Sequence, residues 1–182
     1  HGVKVQYRDS DATAIEGDVW YNAGTGKLKM YASLGSWATG TALPSVKSKH
    51  AGVGITTAGL VLGGLGASGL SAESLSWDGT NYTDIGAMTN NRHMFGGCGT
   101  STSALGAAGY PVGDRGADTE EWDGSSFSET ANLGTARYAP GVTGTQTAAL
   151  CVAGNNYPAP APTLKANVES YDGSSWTEIA DV

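Results

Sequence analysis

A repeat constrains this chain more than any other feature. Trp77-Asp78-Gly79, Trp122-Asp123-Gly124 and Tyr171-Asp172-Gly173 recur at steps of 45 and 49 residues. Five residues further on, Tyr82, Phe127 and Trp176 keep the same steps, and Trp37 extends the series upstream by another 45. The same 45-residue step links Leu43, Met88 and Leu133, and it links Lys47, Arg92 and Arg137. Thr57, Thr102 and Thr147, then Leu60, Leu105 and Leu150, then Gly64, Gly109 and Gly154 follow it too. A register held at so many positions specifies one structural unit used several times.

Each unit reads as four short antiparallel strands. The first lies near His50–Ile55, Phe95–Gly99 and Pro140–Thr143. After a Gly/Thr/Ser turn the second holds Gly59–Leu62, Ala104–Ala107 and Ala148–Ala153. The third is Glu73–Trp77, Thr119–Trp122 and Asn167–Tyr171. An Asp-Gly turn, which supplies the positive φ of a tight hairpin, leads to a fourth strand at the second aromatic. The second strands are almost entirely small or apolar, as strands packed on both faces would be. The 28 glycines and the low charged fraction, 15%, suit short strands and tight turns. Apolar residues still make up 40%, enough to exclude disorder.

Four strands per 40 to 50 residues is the period of a propeller blade, and such blades stack because none can bury both faces alone. The expected fold is an all-β propeller with three four-stranded blades, at 43–87, 88–132 and 133–182. An N-terminal hairpin and partial blade is expected at 17–42, built from Gly17-Asp18-Val19-Trp20-Tyr21-Asn22, a Gly-rich turn and Lys27-Leu28-Lys29-Met30-Tyr31. The polar stretch 1–16 reads as a linker or anchor. The repeated aromatics Trp37, Trp77, Tyr82, Trp122, Phe127, Tyr171 and Trp176 are expected to fill the space between sheets.

The unit resembles the kelch repeat. That resemblance rests on the small doublets Gly63-Gly64, Ala108-Gly109 and Ala153-Gly154, on Val168-Glu169-Ser170-Tyr171-Asp172-Gly173-Ser174-Ser175-Trp176, and on the basic position filled by Lys47, Arg92 and Arg137. Two departures stand out: the doublet is incomplete in two units, and Leu75 stands where Glu120 and Glu169 stand. The Gly-Asp-Val-Trp-Tyr-Asn hairpin and the Trp-Asp-Gly-Ser-Ser turn are also similar to kelch-like repeats of bacteriophage tail-fibre and virion proteins. That similarity implies a virion or extracellular location. It also implies contact with other virion proteins and with a host surface receptor or glycan, and a homo-oligomeric state.

The chain shows little catalytic organisation. A net charge of −7 argues against nucleic-acid binding, which needs clustered Lys and Arg. No run of 18 apolar residues suggests membrane insertion. Cys98 and Cys151 read as small buried thiols. His1, His50 and His93 fall out of register with one another, so no metal or other cofactor is expected. Asp78, Asp123 and Asp172 recur once per unit in a turn and read as turn formers, not catalytic carboxylates. Arg92 and Arg137 read as anchors for strand and loop carbonyls.

Binding is expected in the loops that differ between units. These are Leu65–Ala72, then Tyr110–Asp118 with Tyr110, Asp114 and Arg115, then Asn155–Ala166 with Asn155, Asn156 and Tyr157 ahead of a stiff Pro-Ala run. The preferred expectation is a non-enzymatic virion structural or receptor-binding module. The alternative is a kelch-type protein-interaction adaptor or a secreted glycan-binding propeller. Because the chain begins at His1, it is expected to be processed or truncated; the blades are expected to form an arc completed within an oligomer, the alternative being a four-bladed ring closed within one chain by the partial blade at 17–42.

Overall fold

The computed structural model describes residues 6–10, 18–30, 39–110, 116–156 and 163–181. The protein is all-β, with no helix among the described residues. It divides into two compact units, His1–Gly40 and Thr41–Val182.

The first unit holds β1 (Gln6–Arg8), β2 (Val19–Asn22) and β3 (Lys27–Met30) in one sheet, ordered β1-β2-β3. β2 and β3 form the expected antiparallel hairpin. Its turn is closed by the Thr25 N–H donating to Asn22 Oδ1 at 2.9 Å. The stretch expected as a linker contributes β1, which pairs parallel to β2. Arg8 accounts for this docking: its guanidinium sits over the Trp20 ring at 5.6 Å and reaches Asp18 at 3.6 Å. Trp37 lies outside the described residues.

The second unit carries three larger sheets, each built from strands in chain order, and one small one. Sheet I holds β4 (Lys47–Ser48) and β5 (Ala51–Ile55), both paired to the long β6 (Ala58–Gly66), followed by β7 (Gly69–Trp77) and β8 (Tyr82–Ala87). Sheet II is β9 (Gly96–Thr100), β10 (Ser103–Ala107), β11 (Thr119–Trp122) and β12 (Phe127–Glu129). Sheet III is β13 (Gly141–Gly144), β14 (Ala149–Val152), β17 (Asn167–Tyr171) and β18 (Trp176–Asp181). Between β14 and β17, a separate two-stranded sheet pairs β15 (Asn155–Asn156) with β16 (Thr163–Leu164). The strands fall where the repeat placed them, to within a few residues. Leu65–Ala72 is not a loop: β6 and β7 run on as a hairpin to a two-residue turn at Ala67-Ser68.

The core sits between neighbouring sheets. Leu60, Leu62 and Val53 of sheet I, with Met88 just beyond β8, meet Phe95, Ala104 and Trp122 of the next repeat, with Phe127 at the margin. Cys98 and Leu105 of sheet II meet Ala149 and Tyr171 of sheet III, with Trp176 at the margin. The sheets approach most closely at their first strands. A Cβ on Gly97 would lie 2.8 Å from Val53 Cγ2 and 3.3 Å from Ala51 Cβ, and one on Gly96 would run into Val142. Glycine lines the narrow side of each contact, and aromatics fill the wide side.

The aromatics are less uniformly buried than expected. Trp122 and Tyr171 are buried, but Trp77, Tyr82, Phe127 and Trp176 are only half-buried. The fourth-strand residues stand on the open margin of their sheets. Trp77 and Tyr82 belong to the first of the three sheets, so no earlier sheet of this unit covers them.

Candidate functional site

One end of each sheet is closed by an equivalent rung. In sheet I it is Ser48 opposite Leu65; in the next two it is His93 opposite Tyr110 and Tyr138 opposite Asn155. Tyr110 donates its N–H to His93 O at 2.8 Å and accepts the His93 N–H at 3.0 Å; Tyr138 and Asn155 exchange bonds of 2.8 Å in both directions. The residue after each rung turns the chain into the first strand through a left-handed conformation: Lys49 at φ 56, Met94 at φ 54 and Ala139 at φ 53. Those three residues are joined between sheets. Met94 N–H donates to Lys49 O at 2.9 Å, and Ala139 N–H to Met94 O at 2.6 Å. This backbone chain brings the rungs side by side.

Their side chains make an aromatic cluster. The Tyr110 ring stacks on His93 at 5.1 Å and 22°, and meets Tyr138 edge-on at 6.1 Å and 82°. With Lys49 and Met94 these residues line a depression of about 300 Å³. His93 is 7% exposed, and its Nδ1 has no hydrogen-bond partner among the described residues. Burial, with help from the Lys49 charge, holds its pKa below the usual imidazole value, so the ring is neutral near pH 7. Ring faces, a neutral imidazole and one ammonium suit stacking and hydrogen bonding to a bound molecule.

Of the loop residues singled out in the sequence, Tyr110 joins this cluster. Asn155 supports it through the backbone of Tyr138, and Asn156 pairs with Thr163 in the small sheet. Asp114, Arg115 and Tyr157 lie outside the described residues. Sequence reasoning missed His93, Tyr138, Lys49 and Met94. A signal existed: Ser48, His93 and Tyr138 share one repeat position, as do Lys49, Met94 and Ala139.

The basic repeat position is wholly internal. Arg92 donates to the carbonyls of Ala108, Asp118 and Gly106 at 2.7–3.2 Å and faces Glu120 at 3.2 Å. Arg137 does the same with Ala153 and Asn167 and makes a short ion pair with Glu169. Burial lowers the Arg92 pKa, against the opposing pull of Glu120. Each glutamate also accepts two backbone N–H groups from the link between sheets, Thr89 and Asn90 for Glu120, and Gly134 and Thr135 for Glu169. Where Leu75 replaces the glutamate, Lys47 pairs instead with Glu73 at 2.7 Å.

The repeated aspartates close turns. Asp123 Oδ1 accepts from Ser125 Oγ and from the N–H groups of Ser125 and Ser126, all at 2.8 Å, and Asp172 repeats this with Ser174 and Ser175. These bonds hold both carboxyls at about 2. Cys98 and Cys151 are free and buried, their thiols pushed up to about 11 chiefly by loss of solvent.

Compared with known proteins, the chain matches no family model and no curated protein.

Proposed function

We propose that the chain is a non-enzymatic binding module, built as part of a kelch-like β-propeller, that holds a surface glycan at the His93–Tyr110–Tyr138 cluster. One observation carries this reading. The scaffold positions repeat from sheet to sheet, whereas the rung at the end of each sheet bears a different pair: Ser48 with Leu65, His93 with Tyr110, Tyr138 with Asn155. A fixed frame with divergent ends is how loops on rigid scaffolds acquire binding roles. Aromatic faces stack on the apolar faces of sugar rings, while the imidazole and the Lys49 ammonium supply hydrogen bonds to hydroxyls.

The resemblance to tail-fibre-like repeats supports a virion setting, with the glycan on a host surface. The close sheet contacts and the wedge of glycine and aromatics support the propeller. Titrating purified bacterial surface polysaccharides into the protein, with calorimetric detection, tests the binding role. Saturable binding that falls at least about tenfold in Tyr110→Ala and Tyr138→Ala is expected, the effect of losing one stacked aromatic. Binding unaffected by either change overturns the site. Peptides of this chain in purified phage particles are the expected sign of the virion setting, and their absence from such particles overturns it.

A further inference from the structure

The contact between sheets is built twice within residues 41–182, and among the described residues both its halves are left open at the ends of the array. Position 60/105/150 shows this most plainly. Leu60 is 2% exposed and Leu105 0%, each covered by the next sheet, but Leu150 is 37% exposed. Around Leu150 a depression of about 350 Å³, lined by Thr143, Gly144, Ala149, Ser170 and Tyr171, opens on the face of sheet III. In the two internal contacts that face is covered by an aromatic pair of the following sheet: Trp122–Phe127 over Leu60, and Tyr171–Trp176 over Leu105. The equivalent pair on sheet I is Trp77–Tyr82, with ring centroids 4.6 Å apart like those of Trp122–Phe127. The pair is half-buried, and a Cβ at the nearby Gly52 would meet nothing within 4 Å.

The backbone is open in the same way. Lys49 O and Met94 O accept from the following sheet, and the N–H groups of Gly64 and Gly109 donate to Arg92 O and Arg137 O of the following repeat. Ala139 O and the Gly154 N–H, next in these two series, have no backbone partner among the described residues. At the other end, the Lys49 N–H has none either.

We propose that the open face of sheet III is a docking surface for sheet I of a second copy of this chain, and that two copies close one ring of six sheets. Trp77 and Tyr82 of the second copy cover Leu150. Its Lys49 N–H donates to Ala139 O, and its Lys47 O accepts from the Gly154 N–H. Gly52 of one copy faces Gly141 of the other, so nothing on the narrow side obstructs the approach. The second copy is the favoured occupant because the mating surface already exists in this chain and continues a contact made twice within it. Six sheets fall within the usual range of about four to eight blades, and a two-fold axis satisfies both open ends at once. The ring rests on the propeller reading, but the docking contact rests on the repeat alone, independently of glycan binding.

Cross-linking tests the contact. Ala51 and Gly97 mark the same position between sheets I and II, where a Cβ on Gly97 lies 3.3 Å from Ala51 Cβ. That is close to the spacing of about 3.5–4.5 Å that a disulfide needs. The full chain carrying both Gly52→Cys and Gly141→Cys, oxidised mildly, is expected to migrate at twice the mass of one chain, while either single variant stays at one. Sedimentation of the unmodified protein is expected to show a reversible dimer, weakened at least about tenfold by Leu150→Arg. A chain that remains single after oxidation and sediments as a monomer, or a ladder of higher multimers, overturns the two-copy ring. Polysaccharide titration of the reduced double variant shows separately whether the binding cluster works.

Discussion

Arg92 and Arg137 are fully buried, and each is met by a glutamate that is itself 1% exposed or less. Each glutamate serves two ends, balancing the guanidinium and receiving the link from the previous sheet. Removing one leaves a buried cation and two N–H groups without their acceptor. Glu120→Ala is therefore expected to cost about 3–5 kcal/mol, read as a lower urea midpoint. Glu73→Ala should cost less than Glu120→Ala, because Glu73 is 39% exposed and the Lys47 ammonium, itself 1% exposed, keeps the carbonyl of Glu73 and Ser71 Oγ. Equal losses would mean that the two pairings are not the alternatives they look like. The turn aspartates make a pH prediction. Their folded pKa values, about 2, lie below the ordinary aspartate value. Their contribution to the turns is thus complete above about pH 4 and is lost as pH falls from there to about 2. Carboxyl carbon shifts of Asp123 and Asp172 should titrate near 2, and midpoints near 4 would show that the serine bonds do not form. At this scale the sequence was legible where a residue recurred. The turn role of the aspartates and the carbonyl contacts of the arginines could be expected from recurrence alone. That Leu75 replaces the glutamate was legible too, but that Glu73, two residues earlier, takes over its pairing required the register of the strands.

Strand positions were legible because the repeat fixed four segments at once, and each segment had its own apolar pattern and turn. What stayed hidden depends on pairing. β1 is short, polar and parallel to a strand it reaches across a gap of ten residues, so no local pattern marks it. The rungs are hidden too, because Ser48, His93 and Tyr138 share a backbone role and no side-chain chemistry. The small doublet has a physical reason visible only in the backbone: its first residue has φ of 55, 67 and 54 in the three units, and its second has φ of 107, 122 and 115. The first value is left-handed helical, which alanine tolerates at about 1 kcal/mol, and Ala108 and Ala153 occupy it. The second is far less open to alanine. A Cβ on Gly109 would also lie 2.9 Å from Phe95 Cβ and 3.2 Å from His93 O. Ala108→Gly is therefore expected to be neutral or stabilising by up to about 1 kcal/mol. Gly109→Ala is expected to cost about 1–3 kcal/mol. Thermal unfolding of the two variants compares neighbouring positions in one element. A larger loss at Ala108 than at Gly109 would overturn this account of the doublet.

Across residues 41–182, stability depends on where a sheet stands in the array, because no sheet covers both of its own faces. The same leucine therefore has two environments at its three positions. Leu60 and Leu105 have a following sheet, and Leu150 has none among the described residues. The Cα and side-chain type are equivalent at all three positions, so differences between them report the neighbouring sheet and not the residue. Leu105→Ala removes a side chain from a filled contact and leaves a cavity, at a cost of about 2–5 kcal/mol. That cost should not change with protein concentration, since both sides of the contact belong to one chain. Leu150→Ala, in dilute solution, removes a side chain already in contact with water and should cost less than about 1 kcal/mol. If a second copy covers Leu150, the cost of the same change must grow as concentration rises, because association stabilises only the folded protein that can associate. Melting temperatures of the unmodified protein and both variants, taken over a wide concentration range, separate these cases. The unmodified protein and Leu105→Ala should rise in parallel with concentration, and Leu150→Ala should stay flat. Parallel behaviour of all three would mean that the exposed leucine faces solvent at every concentration, and that the array ends where sheet III does.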